Sequence, residues 1–106
     1  MFKMALTALA TILGLSAIAI AAETTIYQKG RVFSSETLTL KKGEVVNFLN
    51  DDTIPHNIMS STPGNAFNLG SQPPGSMTPV TFKEVGDVKV ICAIHPRMKM
   101  VVTVTE

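Results

Sequence analysis

The sequence lacks several features that would point to common classes of protein. It has one cysteine, so no disulfide can form within the chain. Nine basic residues stand against eight acidic ones, and this balance excludes both the basic surplus of nucleic-acid-binding proteins and the acidic surplus of disordered tails. No Walker or dinucleotide-binding glycine motif is present. At 106 residues the chain allows one small domain and no multi-domain enzyme.

The first residues have the pattern of a secretory leader. Lys3 supplies the only early charge, and residues 4–22 then run without another. The run ends in small residues, so that cleavage after Ala21 fits the A-x-A rule. We therefore predict a signal peptide over residues 1–21, a domain over residues 22–106 and export to a Gram-negative periplasm. A retained membrane anchor is the alternative interpretation.

The exported domain is short of stabilising features. Removal of residues 1–21 from the 106 leaves 85, and the loss of Lys3 leaves eight basic residues against eight acidic ones. A domain of this size benefits from a cross-link or a bound metal. Its lone thiol, Cys92, is a liability in an oxidising compartment unless it is buried, reactive or bound to a metal.

The remaining sequence favours β-structure. Helical periodicity is weak after residue 22, and short apolar or alternating runs recur between turn signals. Pro79 places its strand at a sheet edge or introduces a bulge. The fold class predicted is all-β, a small Greek-key sandwich of six to eight strands. The main predicted strands are 24–28, 36–40, 44–50, 56–60, 77–82, 88–92 and 101–105, with short additional segments at 31–33 and 66–69.

The side chains able to bind a metal are concentrated in one short segment. Cys92, His95 and Met98 follow one another at intervals of three residues, and His56 lies at a strand start far upstream. Taken singly, each of these residues is more often structural than functional. Together, at a strand-to-strand loop that Pro96 stiffens, they indicate a metal site.

This mixture of donors matches one kind of metal chemistry. Two histidines, a cysteine and a weakly bound methionine are the ligands of blue-copper electron-transfer sites. Thiolate and thioether suit Cu(I), whereas imidazole also suits Cu(II), so both oxidation states can occupy the site with little movement. The residues therefore predict one type 1 copper ion and electron transfer as the function.

The same residues resemble the cupredoxins, and in particular the amicyanin-like and methylamine-utilisation-type members, with plastocyanin-like proteins as a wider group. The resemblance covers roughly residues 24–106 and rests on Asn50, Pro55-His56-Asn57, Cys92, His95-Pro96 and Met98. It implies that His56, Cys92 and His95 are equatorial ligands and that Met98 is the axial one. It also implies a supporting role for Asn57, whose neighbourhood hydrogen-bonds the cysteine sulfur and ties the two ligand loops together.

The axial position has a second candidate. Met100 stands at the spacing that plastocyanin-type loops use. Met98 is preferred, because the step from Met98 to the last strand matches the family pattern whereas Met100 overruns it.

The resemblance further implies how electrons enter and leave. His95 would be the electron port within a small apolar docking patch of Pro55, Ile94 and Pro96. Arg97 beside it is a candidate for steering an acidic partner, although a plain solvated arginine is the commoner case. The partners expected are transient redox proteins of cytochrome or quinoprotein type. We expect a monomer, with no nucleic-acid partner and no stable membrane association after cleavage.

Three alternatives use the same residues. A periplasmic copper carrier or chaperone would exchange the ion instead of cycling its charge. An enzyme with Cys92 as nucleophile and His95 as base is disfavoured, because thiol enzymes bring this pair together through the fold and no third group is evident. A structural zinc site is disfavoured by the methionine, which zinc does not normally take.

Overall fold

The computed structural model describes residues 21–106. The leader predicted over residues 1–21 therefore lies, apart from Ala21, outside the described residues. Within the described range the chain forms nine strands and no helix. The strands are β1 (Glu23–Lys29), β2 (Val32–Phe33), β3 (Thr37–Lys41), β4 (Val45–Asn50), β5 (Ile58–Ser60), β6 (Phe67–Asn68), β7 (Met77–Thr81), β8 (Gly86–Cys92) and β9 (Lys99–Thr105).

The strands form two sheets. One has the order β2-β1-β4-β7 and the other β3-β9-β8-β5-β6. Strands β1 and β4 pair in parallel, as do β3 and β9, and in both cases the chain enters the other sheet before the partner strand is reached. The prediction of an all-β, two-sheet sandwich is confirmed.

The predicted strand count of six to eight was too low. Strands β2 and β6 have two residues each, and they add to β1 and β5 as antiparallel edges. Both lie within the short additional segments predicted at 31–33 and 66–69, which carry too little alternation to have been counted as full strands.

The core lies between the two sheets and follows the period of two. In β9, Met100, Val102 and Val104 are buried while the residues between them are more exposed. Phe48 and Phe82 are fully buried, each with its ring about 6 Å from that of Phe67. Full burial of one such apolar side chain stabilises a fold by about 1.5–3 kcal/mol.

Pro79 lies in β7, which is an edge strand of the four-stranded sheet. Proline has no N–H to donate to a neighbour, so an edge position avoids an unsatisfied partner. The edge position predicted from Pro79 is confirmed.

Two connections meet at one end of the five-stranded sheet. Ile58 pairs with Cys92 between β5 and β8, so the segment before β5 lies beside the end of β8. Residues 93–98 then connect β8 to β9. Within the described residues, no helix has both the length and the apolarity needed to cross a membrane.

Candidate metal centre

Three potential ligands converge at this end of the sheet. The ligand atoms of His56, Cys92 and His95 all lie within 4.8 Å of one another. Cys92 Sγ is 3.6 Å from His56 Nδ1 and 3.7 Å from His95 Nδ1. The two imidazole rings meet edge to face, with centroids 5.2 Å apart. His56 and Cys92 are fully buried, whereas His95 is partly exposed.

The loop that carries His95 is closed by its own backbone. The N–H of Cys92 donates to the carbonyl of Met98 at 3.0 Å, and the N–H of Met98 donates to the carbonyl of His95 at 2.8 Å. The N–H of His95 donates in turn to the carbonyl of Cys92 at 3.2 Å. These successive turns bring residues three apart to the same side of the loop, which explains the spacing of the sulfur and nitrogen donors.

The backbone of Asn57 connects the two ligand loops. Its N–H donates to Cys92 Sγ at 3.4 Å, and its carbonyl accepts from the N–H of Ala93 at 2.8 Å. Its side chain points elsewhere and donates to Asn68 Oδ1 at 2.8 Å. The contacts to the thiol and to the other loop are therefore made by the main chain, and the amide side chain holds the edge strand β6.

His56 is held from the side opposite the thiol by a carboxylate. His56 Nε2 lies 2.8 Å from Asp52 Oδ2. The Asp52 carboxylate also accepts the N–H groups of Gly30 and Arg31, at 3.1 and 3.0 Å. The hydrogen bond from Arg31, followed by that from His56, lowers the pKa of Asp52 to about 2.

A buried amide network supports the segment before His56. Asn50 donates to the carbonyls of Ile54 and Gln72, both at 2.9 Å, and accepts the N–H of Asp52 at 3.0 Å. His56 and Gln72 exchange backbone hydrogen bonds of 3.1 and 2.7 Å. Gln28, fully buried, donates to the Gln72 side chain at 3.2 Å. The His56 loop is thereby fixed by residues distant in the chain.

The two candidate methionines occupy different places. Met98 lies in the loop and, with His95, lines a surface cleft of about 400 Å³. Met100 belongs to β9 and points into the core, and the cleft that it borders, on the β8–β9 face, includes neither histidine. Both are almost completely buried. Met98 is therefore the methionine that shares a cleft with His95.

The predicted docking residues lie on the surface, and two of the three share a cleft with His95. Pro55 and Pro96 are exposed, and Ile94 is 54% exposed. Ile94 and Pro96 line the same cleft as His95. Arg97 and Arg31 also line that cleft, so that its rim is basic.

The geometry and donors fit a transition-metal ion. Bonds of about 2.3 Å to sulfur and about 2.0 Å to nitrogen, at a trigonal angle, place the two donor atoms about 3.7 Å apart, close to the separations of 3.6 and 3.7 Å from Cys92 Sγ. Zinc shares these bond lengths, but two imidazoles and a cysteine sulfur, with a buried methionine on the same loop, favour copper.

Two residues near the site were missed by the sequence analysis. Asp52 contacts His56 directly, and Arg31 lines the cleft beside His95. Asp52 stands four residues before His56, and a carboxylate close to a metal-binding histidine is a recognisable signal. Arg31 gives no such signal, because only the sheet topology brings it near.

Known proteins resemble the chain in sequence and in fold. Residues 20–105 match the family of copper-binding proteins of plastocyanin/azurin type. The methylamine utilization protein MauL of Methylorubrum extorquens is 34% identical over 64 residues, covering 59% of this chain and 56% of MauL. The chain thus matches little more than half the length of that relative.

Two solved structures illustrate the likeness of fold. A purple cupredoxin from Nitrosopumilus maritimus is 28% identical, with a TM-score of 0.69 over 77% of this chain and 99% of that one. A reduced variant of amicyanin is 23% identical, with a TM-score of 0.72 over 84% of this chain and 87% of that one.

Proposed function

The chain belongs to the plastocyanin/azurin family of copper-binding proteins, and we propose that it is an exported electron carrier with a single type 1 copper ion. The family consists of small electron carriers rather than enzymes. Bound copper would supply a one-electron couple between Cu(I) and Cu(II). The observation that carries the proposal is the convergence of Cys92 Sγ with two imidazole nitrogens at 3.6 and 3.7 Å.

Each ligand has a separate task in this proposal. Cys92 and the two Nδ1 atoms of His56 and His95 form the equatorial set, and Met98 provides a weak axial thioether. Met100 remains the alternative axial ligand. The Asn57 N–H withdraws electron density from the thiolate through its hydrogen bond at 3.4 Å and so contributes to the reduction potential.

The proposed route for electrons runs through His95. Its ring reaches from the thiol to a partly exposed position on the cleft. The docking patch of Pro55, Ile94 and Pro96 would seat the partner around this ring. Redox encounters of this kind are small and weak, with less than about 1,200 Å² buried in total, so the carrier can release its partner quickly.

The proposal places the protein in the periplasm as a monomer after cleavage near Ala21. The redox partners would be of cytochrome or quinoprotein type. The name of its relative MauL supports a partner in methylamine utilisation.

A copper titration tests this function against the copper-carrier alternative. Cu(II) is added to residues 22–106 while the visible spectrum is recorded, and ascorbate and an oxidant are then added in turn. We expect an intense thiolate-to-copper band that saturates at one equivalent, bleaches on reduction and returns without loss of metal. A protein that binds only Cu(I), or loses the ion on cycling, would support the carrier instead.

A further inference from the structure

The imidazole of His56 is engaged at both nitrogens. Nδ1 faces Cys92 Sγ at 3.6 Å, and Nε2 lies 2.8 Å from Asp52 Oδ2. A carboxylate accepts hydrogen bonds and donates none, so this contact requires the proton to reside on Nε2. The Nδ1 lone pair is then directed toward the thiol, which is the arrangement that a metal at this point requires.

The carboxylate that makes this contact is itself held in place. Gly30 donates to Oδ1 at 3.1 Å and Arg31 donates to Oδ2 at 3.0 Å. Both donors lie in the two-residue turn between β1 and β2, with φ of +62° and +57°. Two-residue hairpin turns favour these left-handed angles, and successive N–H groups in such turns form a concave anion site. The rotamer of Asp52 is therefore fixed by a segment more than 20 residues away in the chain.

The side chain of Asp52 is much less exposed to solvent than that of the adjacent Asp51. The Asp52 side chain is only 13% exposed, whereas that of Asp51 is 56% exposed and pairs with Lys29 at 4.0 Å. Water and counter-ions screen an exposed charge strongly but a covered one weakly. The negative charge of Asp52 therefore acts on His56, while that of Asp51 acts mainly on solvent.

We propose that Asp52 is a positioning residue of the copper centre, which fixes the tautomer and orientation of His56 and favours the oxidised ion. The claim that Asp52 favours the oxidised ion rests on the proposed function. The covered carboxylate makes the imidazole a stronger donor, and the extra positive charge of Cu(II) gains more from this than Cu(I) does. The β1–β2 turn is in this way part of the metal site, although it supplies no ligand.

The redox part is tested by the variant Asp52→Asn, with Asp51→Asn as the matched control. Loss of such an outer contact lowers metal affinity by about 10–100-fold. We expect a larger loss of affinity for Cu(II) than for Cu(I). Each tenfold excess in the loss of Cu(II) affinity raises the reduction potential by about 59 mV. Asp51→Asn removes the same charge one residue away and leaves the potential close to that of the wild type. Equal potentials in all three proteins would overturn the inference.

The tautomer is tested without copper, in the wild-type protein. Long-range proton–nitrogen NMR at mildly alkaline pH identifies which ring nitrogen of His56 carries the proton. We expect the proton on Nε2. Exchange of this proton with water should be faster in Asp52→Ala, because its hydrogen-bond acceptor is removed. A proton on Nδ1 would contradict the inference even if Asp52→Asn failed to fold. Absence of the blue band in the wild type would instead refute the proposed function and leave this result standing.

Discussion

His56 and His95 face the same thiol, but the loops that carry them are built differently. The segment around His56 is bound by distant residues: Asp52 accepts from Gly30 and Arg31 at 3.1 and 3.0 Å, and Asn50 donates to the carbonyl of Gln72 at 2.9 Å. The loop of residues 93–98 closes mainly on itself, with the Ala93–Asn57 backbone bond as its link to the other loop.

This difference separates two requirements of an electron carrier. A buried histidine held by tertiary contacts keeps the donor set in one geometry, which limits rearrangement between oxidation states. A partly exposed histidine on a short self-closed loop would let a redox partner approach, as the proposed function requires. Under the proposed function, the loop around His56 would therefore provide rigidity and the loop around His95 would provide access.

The largest expected effect comes from Cys92, whose sulfur lies 3.6 and 3.7 Å from the Nδ1 atoms of the two histidines. Cys92→Ser should abolish the thiolate-to-copper band completely. Copper at 100 times its Kd stabilises the folded state by about 2.7 kcal/mol. This stabilisation should be smaller in Cys92→Ser, because the variant lacks the sulfur ligand. Visible spectra and thermal unfolding with and without copper measure both effects. An unchanged band would remove Cys92 from the ligand set.

The stability of the segment before His56 should depend on the buried side-chain amide of Asn50. Asn50→Ala removes two donated bonds of 2.9 Å and leaves the Asp52 N–H without its acceptor, which costs about 1–3 kcal/mol. Asn68→Ala is the control, because the hydrogen bonds of that side chain are exposed, and its expected cost is below about 1 kcal/mol. Urea unfolding of the copper-free proteins measures the two values. Equal costs would show that the amide network does not anchor the loop.

The two candidate axial ligands lie in different elements, Met98 in the loop and Met100 in β9. Met98→Gln replaces a soft thioether with a harder amide oxygen, which favours Cu(II), so the reduction potential should fall. A tenfold shift in relative affinity corresponds to about 59 mV. Met100→Gln should destabilise the core and leave the potential nearly unchanged. Voltammetry of both variants decides the axial ligand, and the opposite result would assign it to Met100.

The smallest expected effect is the contribution of Asp52 to the stability of the folded protein at acid pH. The pKa of Asp52 is lowered from 3.8 to about 2, mainly by the N–H of Arg31 and then by His56. A depressed pKa stabilises the folded state above the unfolded value, and that contribution is lost as pH falls from about 4 to about 2. In copper-free protein, the free energy of unfolding of Asp52→Asn should vary less with pH across this window. Parallel pH profiles for variant and wild type would refute this role of Asp52.

Much of the fold could be predicted from the sequence because its signals are local. The alternation of residues 36–40 and the apolar run of residues 44–50 correspond to strands β3 and β4, and Pro79 marks an edge strand. The two shortest strands, β2 and β6, fall within the short segments predicted at 31–33 and 66–69 but were not counted as separate strands. Their pairing depends on neighbours across the sheet, which a two-residue segment does not encode by itself.

The candidate site divides in the same way. Cys92, His95 and Met98 lie in one heptapeptide whose spacing is visible in the sequence, and His56 was included as the second histidine that the copper donor set requires. The support of His56 was not foreseen, because Asp52 meets Gly30 and Arg31 only after β1 and β4 pair in parallel. Contacts between residues far apart in the chain come from topology and are not visible in local spacing.

A crystal structure of the copper-loaded protein tests the proposed centre most directly. We expect one ion bonded to His56 Nδ1, Cys92 Sγ and His95 Nδ1, with sulfur–nitrogen separations close to 3.6 and 3.7 Å. His56 Nε2 should retain its contact with Asp52. An ion bound away from Cys92, or a His56 ring turned away from Asp52 to reach the metal through Nε2, would contradict the proposed centre.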